Sequence, residues 1–276
     1  MFNLGVLFRL KKDVDIMAEF EKVRDMGLQS CQVTVWEMDL YCDEYVRLIN
    51  EAQEKTGVKV STLWAGWSGP KEWNFTYGPS TLGLVPAAYR CQRLFDLEAA
   101  IPFAEAIGTK NIATHVGFLP ENPNDPDYVG TVGALRKLCR AMKEKEINFL
   151  FETGQETPVT LVRAIEDIGL ANVGINFDTG NLILYGKANP VDAFGIFGKY
   201  VMDMHIKDGL YPVDGKHLGA ETPVGEGKVD FEQLVKLLKE ADYQGYLTIE
   251  REISGEKQIA DIVRARDLIR ELEAKV

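Results

Sequence analysis

The stretch "NFLFETGQETP" (148–158) runs through three consecutive apolar residues, Phe149, Leu150 and Phe151, and sets Glu152 where the apolar run stops. A short continuous apolar run reads as a strand covered on both faces, as in a parallel sheet wrapped by helices. The same arrangement recurs in "VGINFDTGN" (173–181), "VMDMHIKDG" (201–209) and "YLTIEREI" (246–253), closing on Asp178, His205 and Glu250. Four strand-like runs that each end on a ligand-type or acid–base side chain call for a fold that gathers strand ends.

Working outward, further strand-like runs lie at about 3–8 (NLGVLF), 29–35 (QSCQVTV), 58–64 (VKVSTLW) and 110–115 (KNIATH). With 147–152, 173–178, 200–205 and 245–250 they make eight. Between them, helical spacing covers roughly 13–26, 43–56, 87–107, 129–145, 157–169, 189–198 and 230–241, with a last segment at 256–275. Asn189-Pro190 and Thr157-Pro158 each put a capping side chain before a proline suited to the first helical position, and Asp230 to Gln233 has capping-box spacing. Gly27, Gly57, Gly108 and Gly245 sit where helices stop before the next strand. Eight such alternations, with no GxGxxG after the first strand, predict a single-domain (β/α)8 TIM barrel over residues 1–276. The longest strand-to-helix connections, 65–86, 116–128 and 206–229, then fall on the face where such barrels build their sites.

A chain of 276 residues, 46% hydrophobic, is long enough for that single core. A formal charge of −11, with no basic run longer than Lys11-Lys12, argues against nucleic acid and anionic membrane as partners. Cys31, Cys42, Cys91 and Cys139 lie far apart without CxxC spacing, which points away from a zinc ribbon or a disulfide framework. The N-terminus "MFNLGVLFRLKK" places its charges after a short apolar run, the reverse of a signal peptide, and no uncharged stretch reaches membrane-spanning length. The expectation is a cytoplasmic protein.

In a barrel, Glu152, Asp178, His205 and Glu250 close the fifth, sixth, seventh and eighth strands and face one mouth. Hard oxygen donors plus one imidazole suit a divalent cation, Mn²⁺ first, with Mg²⁺, Co²⁺ or Zn²⁺ as alternatives. Three carboxylates converging without a cation would repel one another. Taken singly, each residue has a plainer reading: Asp178 as a helix cap, Glu250 paired with Arg251, Glu152 bonded to a loop, His205 as a core histidine. Across the mouth, Glu152 and Glu250 suit proton transfer next to a substrate carbonyl, giving isomerisation, epimerisation or, where hydroxide leaves, dehydration. A non-catalytic sugar-binding or assembly subunit would not need two opposed acid–base groups.

The pieces "FETG", "INFDTGN", "MHIKDG", "VGEGKVDF" and "LTIERE" resemble the xylose isomerase-like barrel superfamily, over essentially the whole chain. That superfamily includes ketose 3-epimerases, inosose dehydratases and isomerases, hydroxypyruvate isomerases and endonuclease IV. The resemblance implies metal ligands at Glu152, Asp178, His205 and Glu250, and paired catalytic glutamates at Glu152 and Glu250. Asn181 and Tyr211 stand where ketose 3-epimerases usually carry a substrate-binding histidine and an arginine, which departs from the simple 3-epimerase pattern. The endonuclease branch needs more histidines than His115, His205 and His217, and a DNA-compatible surface. Lys207-Asp208 looks like the pair of inosose-type members, where lysine neutralises charge on a substrate oxygen; Glu226 in "GEGK" looks like the family's loop motif.

His115 ends the fourth run and is a candidate substrate contact, as is Asn181 at its family position. Trp36, Trp64, Trp67 and Phe8 lie at or just after strand ends, where rings stack on the C–H face of a sugar or cyclitol. No phosphate cradle or arginine cluster accompanies them, which favours a non-phosphorylated substrate. The expected partner is a small carbohydrate or cyclitol, and a homo-oligomer is compatible with the composition.

Overall fold

The computed structural model describes residues 1–276 as one closed barrel wrapped by helices, a single (β/α)8 domain. In chain order the first half comprises β1 (Asn3–Leu10), α1 (Ile16–Asp25), β2 (Ser30–Val35), α2 (Asp43–Thr56), β3 (Lys59–Ala65), α3 (Gly78–Thr81), α4 (Ala87–Ala106), β4 (Asn111–Thr114) and α5 (Pro126–Glu144). The second half comprises β5 (Asn148–Glu152), α6 (Pro158–Ile168), β6 (Val173–Asp178), α7 (Thr179–Leu184), α8 (Pro190–Phe197), β7 (Val201–Ile206), β8 (Asp208–Gly209), β9 (Glu221–Thr222), α9 (Phe231–Glu240), β10 (Tyr246–Ile249) and α10 (Glu256–Lys275).

β1 to β7 and β10 close in the order β1-β10-β7-β6-β5-β4-β3-β2, every neighbouring pair parallel. β8 and β9 form a short antiparallel ribbon in the connection after β7, pairing Asp208 with Thr222 and Gly209 with Glu221. No helix is long and apolar enough to cross a membrane.

Alternation along each strand sorts its side chains between the helices and the barrel interior. Phe149 and Phe151 of β5 join the main apolar core, whereas Leu150 belongs to a separate small cluster with Trp64, Trp67, Leu82 and Ala113. Glu152 lies on Leu150's side, so it faces the mouth. In register, Glu152 pairs with Asn176, Asp178 with His205, and Thr248 with His205. These pairings bring the strand ends to one level.

Local signals behave largely as expected. Asn189 accepts from Val191 N at 2.9 Å and Asp230 from Gln233 N at 3.0 Å, capping α8 and α9. Thr157 makes no such bond to α6; its hydroxyl meets Thr160 Oγ1 at 2.9 Å instead. The fifth helix begins at Pro126 rather than 129, because Asp125 accepts from Asp127 N at 2.8 Å and Pro126 takes the first turn. α3, α7 and the β8–β9 ribbon are elements that periodicity did not announce, each too short to show a period.

Candidate functional site

The mouth gathers Glu152 from β5, Asp178 from β6, His205 from β7 and Glu250 just past β10, all buried, with ligand atoms within 4.8 Å of one another. His205 Nδ1 lies 3.5 Å from Glu152 Oε1, 3.4 Å from Asp178 Oδ2 and 3.1 Å from Glu250 Oε2. Asp178 divides its carboxylate: Oδ1 accepts from Asn181 N at 2.7 Å and caps α7, while Oδ2 has no hydrogen-bond partner. The capping reading of this residue holds through Oδ1, and Oδ2 is left facing the cluster.

The interior below orients His205. Gln32 donates its amide to Asn176 Oδ1 at 3.0 Å, so its carbonyl oxygen faces His205 Nε2 at 2.8 Å. An acceptor there favours a proton on Nε2 and turns Nδ1 towards the carboxylates. Nδ1, like Asp178 Oδ2, is buried without a hydrogen bond. Such orphaned groups cost about 1–3 kcal/mol each. Two of them aimed into one cluster of three carboxylates and an imidazole fit a divalent cation as the missing partner.

Charge is arranged asymmetrically around the cluster. Glu152 accepts from Trp64 Nε1, from Asn181 Nδ2 at 3.3 Å and from Asn176 Nδ2 at 3.4 Å, and His115 Nε2 lies 3.2 Å from Oε1. Burial works to raise its pKa, but His115 and His205 outweigh burial and hold it well below the usual range. Burial alone would lower His115 and His205; Glu152 raises His115, while Glu152 and Glu250 carry His205 well above its ordinary value. Glu250 is brought down to about 2 against its burial, by Lys207 and then His205. Asp178, in contrast, rises to about 6 because burial exceeds the help of Lys207.

Lys207 is buried, with Nζ 3.2 Å from Glu250 Oε2, 2.5 Å from Glu252 Oε1 and 3.8 Å from Asp178 Oδ2. Gly180 makes room for it, since a Cβ there would stand 2.6 Å from Lys207 Cγ. The neighbouring Asp208 acts elsewhere, accepting from Gly225 N, Gly227 N and Val229 N at 3.0, 2.8 and 3.1 Å and so folding the loop after β9. Glu226 consequently faces outward and pairs with Arg264 of α10 at 2.6 Å, so the structure does not bring it to the cluster.

A cavity opens over this group, with Trp36, Trp64, Trp73, His115, Asn181 and Tyr185 among its walls, and its volume of about 1240 Å³ includes space running along α1 and α10. Phe8 also lines it, whereas Trp67 is buried behind the wall. Tyr211 and His217 remain largely exposed outside. Sequence reasoning passed over Gln32, Asn176, Glu252, Tyr185 and Trp73. For Gln32 and Asn176 a signal existed, a polar side chain in phase with the ligand positions inside an apolar strand; for Trp73 and Tyr185, in a loop and just past α7, there was none.

Among solved structures, a xylose isomerase domain protein from Planctomyces limnophilus is 32% identical, covering 100% of this chain and 98% of that one at a TM-score of 0.92. A 3-keto-D-glucoside 4-epimerase from E. coli is 19% identical, covering 98% and 100% at a TM-score of 0.74, a likeness of fold. An inosose dehydratase from Clostridium botulinum is 28% identical over 145 residues, 47% of this chain and 48% of the relative, so the chain spans about half the length of that curated relative. The family model described as xylose isomerase-like TIM barrel matches residues 20–272, and with the barrel and mouth described above the chain belongs to that family.

Proposed function

We propose that this chain is a divalent-metal-dependent isomerase or epimerase of a small carbohydrate or cyclitol, moving a proton at the carbon next to a carbonyl. The observation that carries the reading is the pair Glu152 and Glu250, converging on His205 Nδ1 from strands three steps apart in the ring. Glu152, Asp178, His205 and Glu250 are the residues that would hold the ion, Mn²⁺ in the first instance. When bound, it would polarise a substrate carbonyl oxygen and acidify the adjacent C–H.

The protein groups divide the proton work. Glu250, kept ionised by Lys207, is suited to accept the proton from carbon at a carboxylate oxygen. His115, whose pKa Glu152 raises, supplies a proton that Glu152 delivers to the opposite face. Trp64, Asn181 and Asn176 hold Glu152 in place for that delivery. One proton leaves carbon and one returns; solvent then takes the proton from Glu250 and restores that of His115, so charge balances over the cycle.

A second reading, a keto-sugar or keto-cyclitol dehydratase, is favoured by Lys207. Its buried ammonium stands 3.2 Å from the candidate base and could protonate a departing hydroxide, and curated relatives include inosose dehydratases. Four free cysteines and the charge of −11 support a reducing, cytoplasmic setting without nucleic-acid or membrane partners, and leave a homo-oligomer open.

The test is turnover of free ketoses, inososes and 3-keto-glycosides with Mn²⁺ in D₂O. Isomerisation or epimerisation places deuterium on the carbon beside the carbonyl, and Glu250→Gln lowers kcat by ~10² or more. Loss of water from the substrate selects the dehydratase. Product without deuterium, made equally well by the Gln variant, overturns both readings.

A further inference from the structure

Three of the four cluster residues are held by the barrel itself, since Glu152, Asp178 and His205 lie within β5, β6 and β7. Glu250 is the exception. β10 ends at Ile249, whose pairs with Val6 of β1 and Ile206 of β7 are the last of that strand, and the Glu250 N–H, on Ile206 O at 3.2 Å, adds one bond beyond them. Its carboxylate also lacks the neutral support its neighbours have. Glu152 accepts from Trp64, Asn181 and Asn176, and Asp178 caps α7, whereas Glu250 Oε2 stands beside Lys207 Nζ at 3.2 Å and His205 Nδ1 at 3.1 Å, both members of the charged group itself. Where this carboxylate stands therefore depends on what holds the chain just past it.

That hold runs through Arg251. Glu250 and Glu252 both reach Lys207, and Arg251 between them turns the other way. Its Nη1 meets Glu221 Oε2 of β9 at 2.7 Å and its Nε meets Asp261 Oδ2 of α10 at 2.9 Å, so one planar guanidinium ties the β8–β9 ribbon to the last helix, with all three side chains largely buried. Glu221 presents both oxygens to the next N–H, that of Glu252, at 3.0 and 3.2 Å, and Gln258 donates to Arg251 O at 2.8 Å. Without the guanidinium, Glu221 would lose its buried partner and Asp261 would keep only the exposed Lys257 at 3.0 Å, so the backbone that carries Glu250 would lose its bracing on both sides.

We infer that Arg251 is the positioning residue for Glu250: braced between Glu221 and Asp261, it sets where the carboxylate past the end of β10 stands in the cluster. This rests on the reading of Glu250 as metal ligand and base, and adds a residue that acts on ion and substrate only through Glu250. Misplacing a reacting group by about 1 Å costs on the order of 10²-fold in rate, and losing the group that orients a metal ligand costs about 10–100-fold in affinity.

The test measures Mn²⁺ affinity by calorimetry, the melting temperature without metal, and kcat and KM on whichever free ketose or inosose the wild type turns over. Arg251→Met is expected to weaken Mn²⁺ about tenfold or more and to lower kcat about 10–100-fold with KM within about threefold. Arg251→Lys, whose single ammonium keeps the charge without the fork, recovers part of both losses. Glu221→Gln keeps an acceptor for Glu252 N but discharges the partner of Arg251, so it falls between wild type and Arg251→Met and stands in for that variant should it not fold. Arg270→Met, which loses Phe2 O and Glu273 at the far end of α10, is the control for stability alone: a lower melting temperature, with Mn²⁺ affinity and kcat within about twofold of wild type. The same pattern in Arg251→Met, or in Glu221→Gln as its stand-in, overturns the inference and leaves Arg251 as a brace of the fold. A wild type that binds Mn²⁺ but turns over none of the compounds sinks the isomerase and dehydratase readings, while Mn²⁺ affinity still decides Arg251. A wild type that binds no Mn²⁺ overturns the inference together with the metal reading of the cluster.

Discussion

Replacing Lys207 with Met removes an ammonium 3.2 Å from Glu250 while nearly keeping the volume of the stem. Its ammonium is 1% exposed and lies 3.2 Å from Glu250, 3.8 Å from Asp178 and 2.5 Å from Glu252. Glu252 is 58% exposed, so that contact contributes only ~0–1 kcal/mol. The larger effect is at Glu250 and Asp178, where deleting one member of a buried charged group costs about 3–5 kcal/mol. At ~2 °C per kcal/mol for a chain of this size, the metal-free variant melts about 6–10 °C lower. Without Lys207 the largest influence lowering the Glu250 pKa is gone and only His205 opposes burial, so the group spends more time protonated. Loss of its base form and of the charge that would meet a developing oxyanion lowers kcat by ~10² or more. A bound divalent cation restores positive charge to the cluster, so Mn²⁺ recovers much of the melting temperature but not the turnover. The assay is a thermal melt with and without Mn²⁺, beside steady-state kinetics. A variant that melts within 1–2 °C of wild type without metal and turns over within a few-fold refutes the assignment of Lys207 to the site.

Asp178→Asn keeps the Oδ1 cap of α7 and replaces the charged Oδ2, so Mn²⁺ affinity by calorimetry falls at least ~10-fold while the fold persists. Gln32→Leu removes the acceptor that fixes His205 Nε2–H; Mn²⁺ affinity drops ~10–100-fold, and Gln32→Glu, which keeps an acceptor, loses less. Equal affinities in the two Gln32 variants would show that Gln32 only fills space. Glu156 is buried with Oε1 unpartnered, and burial raises its pKa from 4.5 to about 7. The folded state thus holds a proton that the unfolded chain releases, and the stability this gives is present below about pH 4.5 and lost as pH rises through about 7. Glu156→Gln lacks that dependence, so denaturant titrations between pH 4.5 and 8 find the variant gaining on wild type by about 3 kcal/mol as pH rises; parallel curves contradict the burial argument.

The barrel was legible in the chain because its strands announce themselves locally. Apolar runs such as Phe149 to Phe151 need cover on both faces, and a period of two carries Leu150, Glu152, Asn176 and Asp178 to the inner side without reference to anything distant. Closing residues at four successive strand ends then determined the candidate cluster, since parallel strands in a closed ring deliver those ends to one mouth. Partner choice inside that mouth is of a different kind. Gln32 and Asn176 are 144 residues apart, and only closure of the ring sets one against the other and both against His205. The sequence reads Glu226, between two glycines, as a site loop, yet Asp208 draws the flanking N–H groups of Gly225 and Gly227 inward and turns the intervening side chain out to Arg264. Trp73 sits in a loop with no period at all, and its place at the rim depends on three carbonyls that Arg93 collects from Ser68, Pro70 and Gly83. Strand identity follows from spacing along the chain, whereas the partners of a buried polar group follow from which surfaces meet, and hydrogen bonds at about 3 Å exist only after they have met.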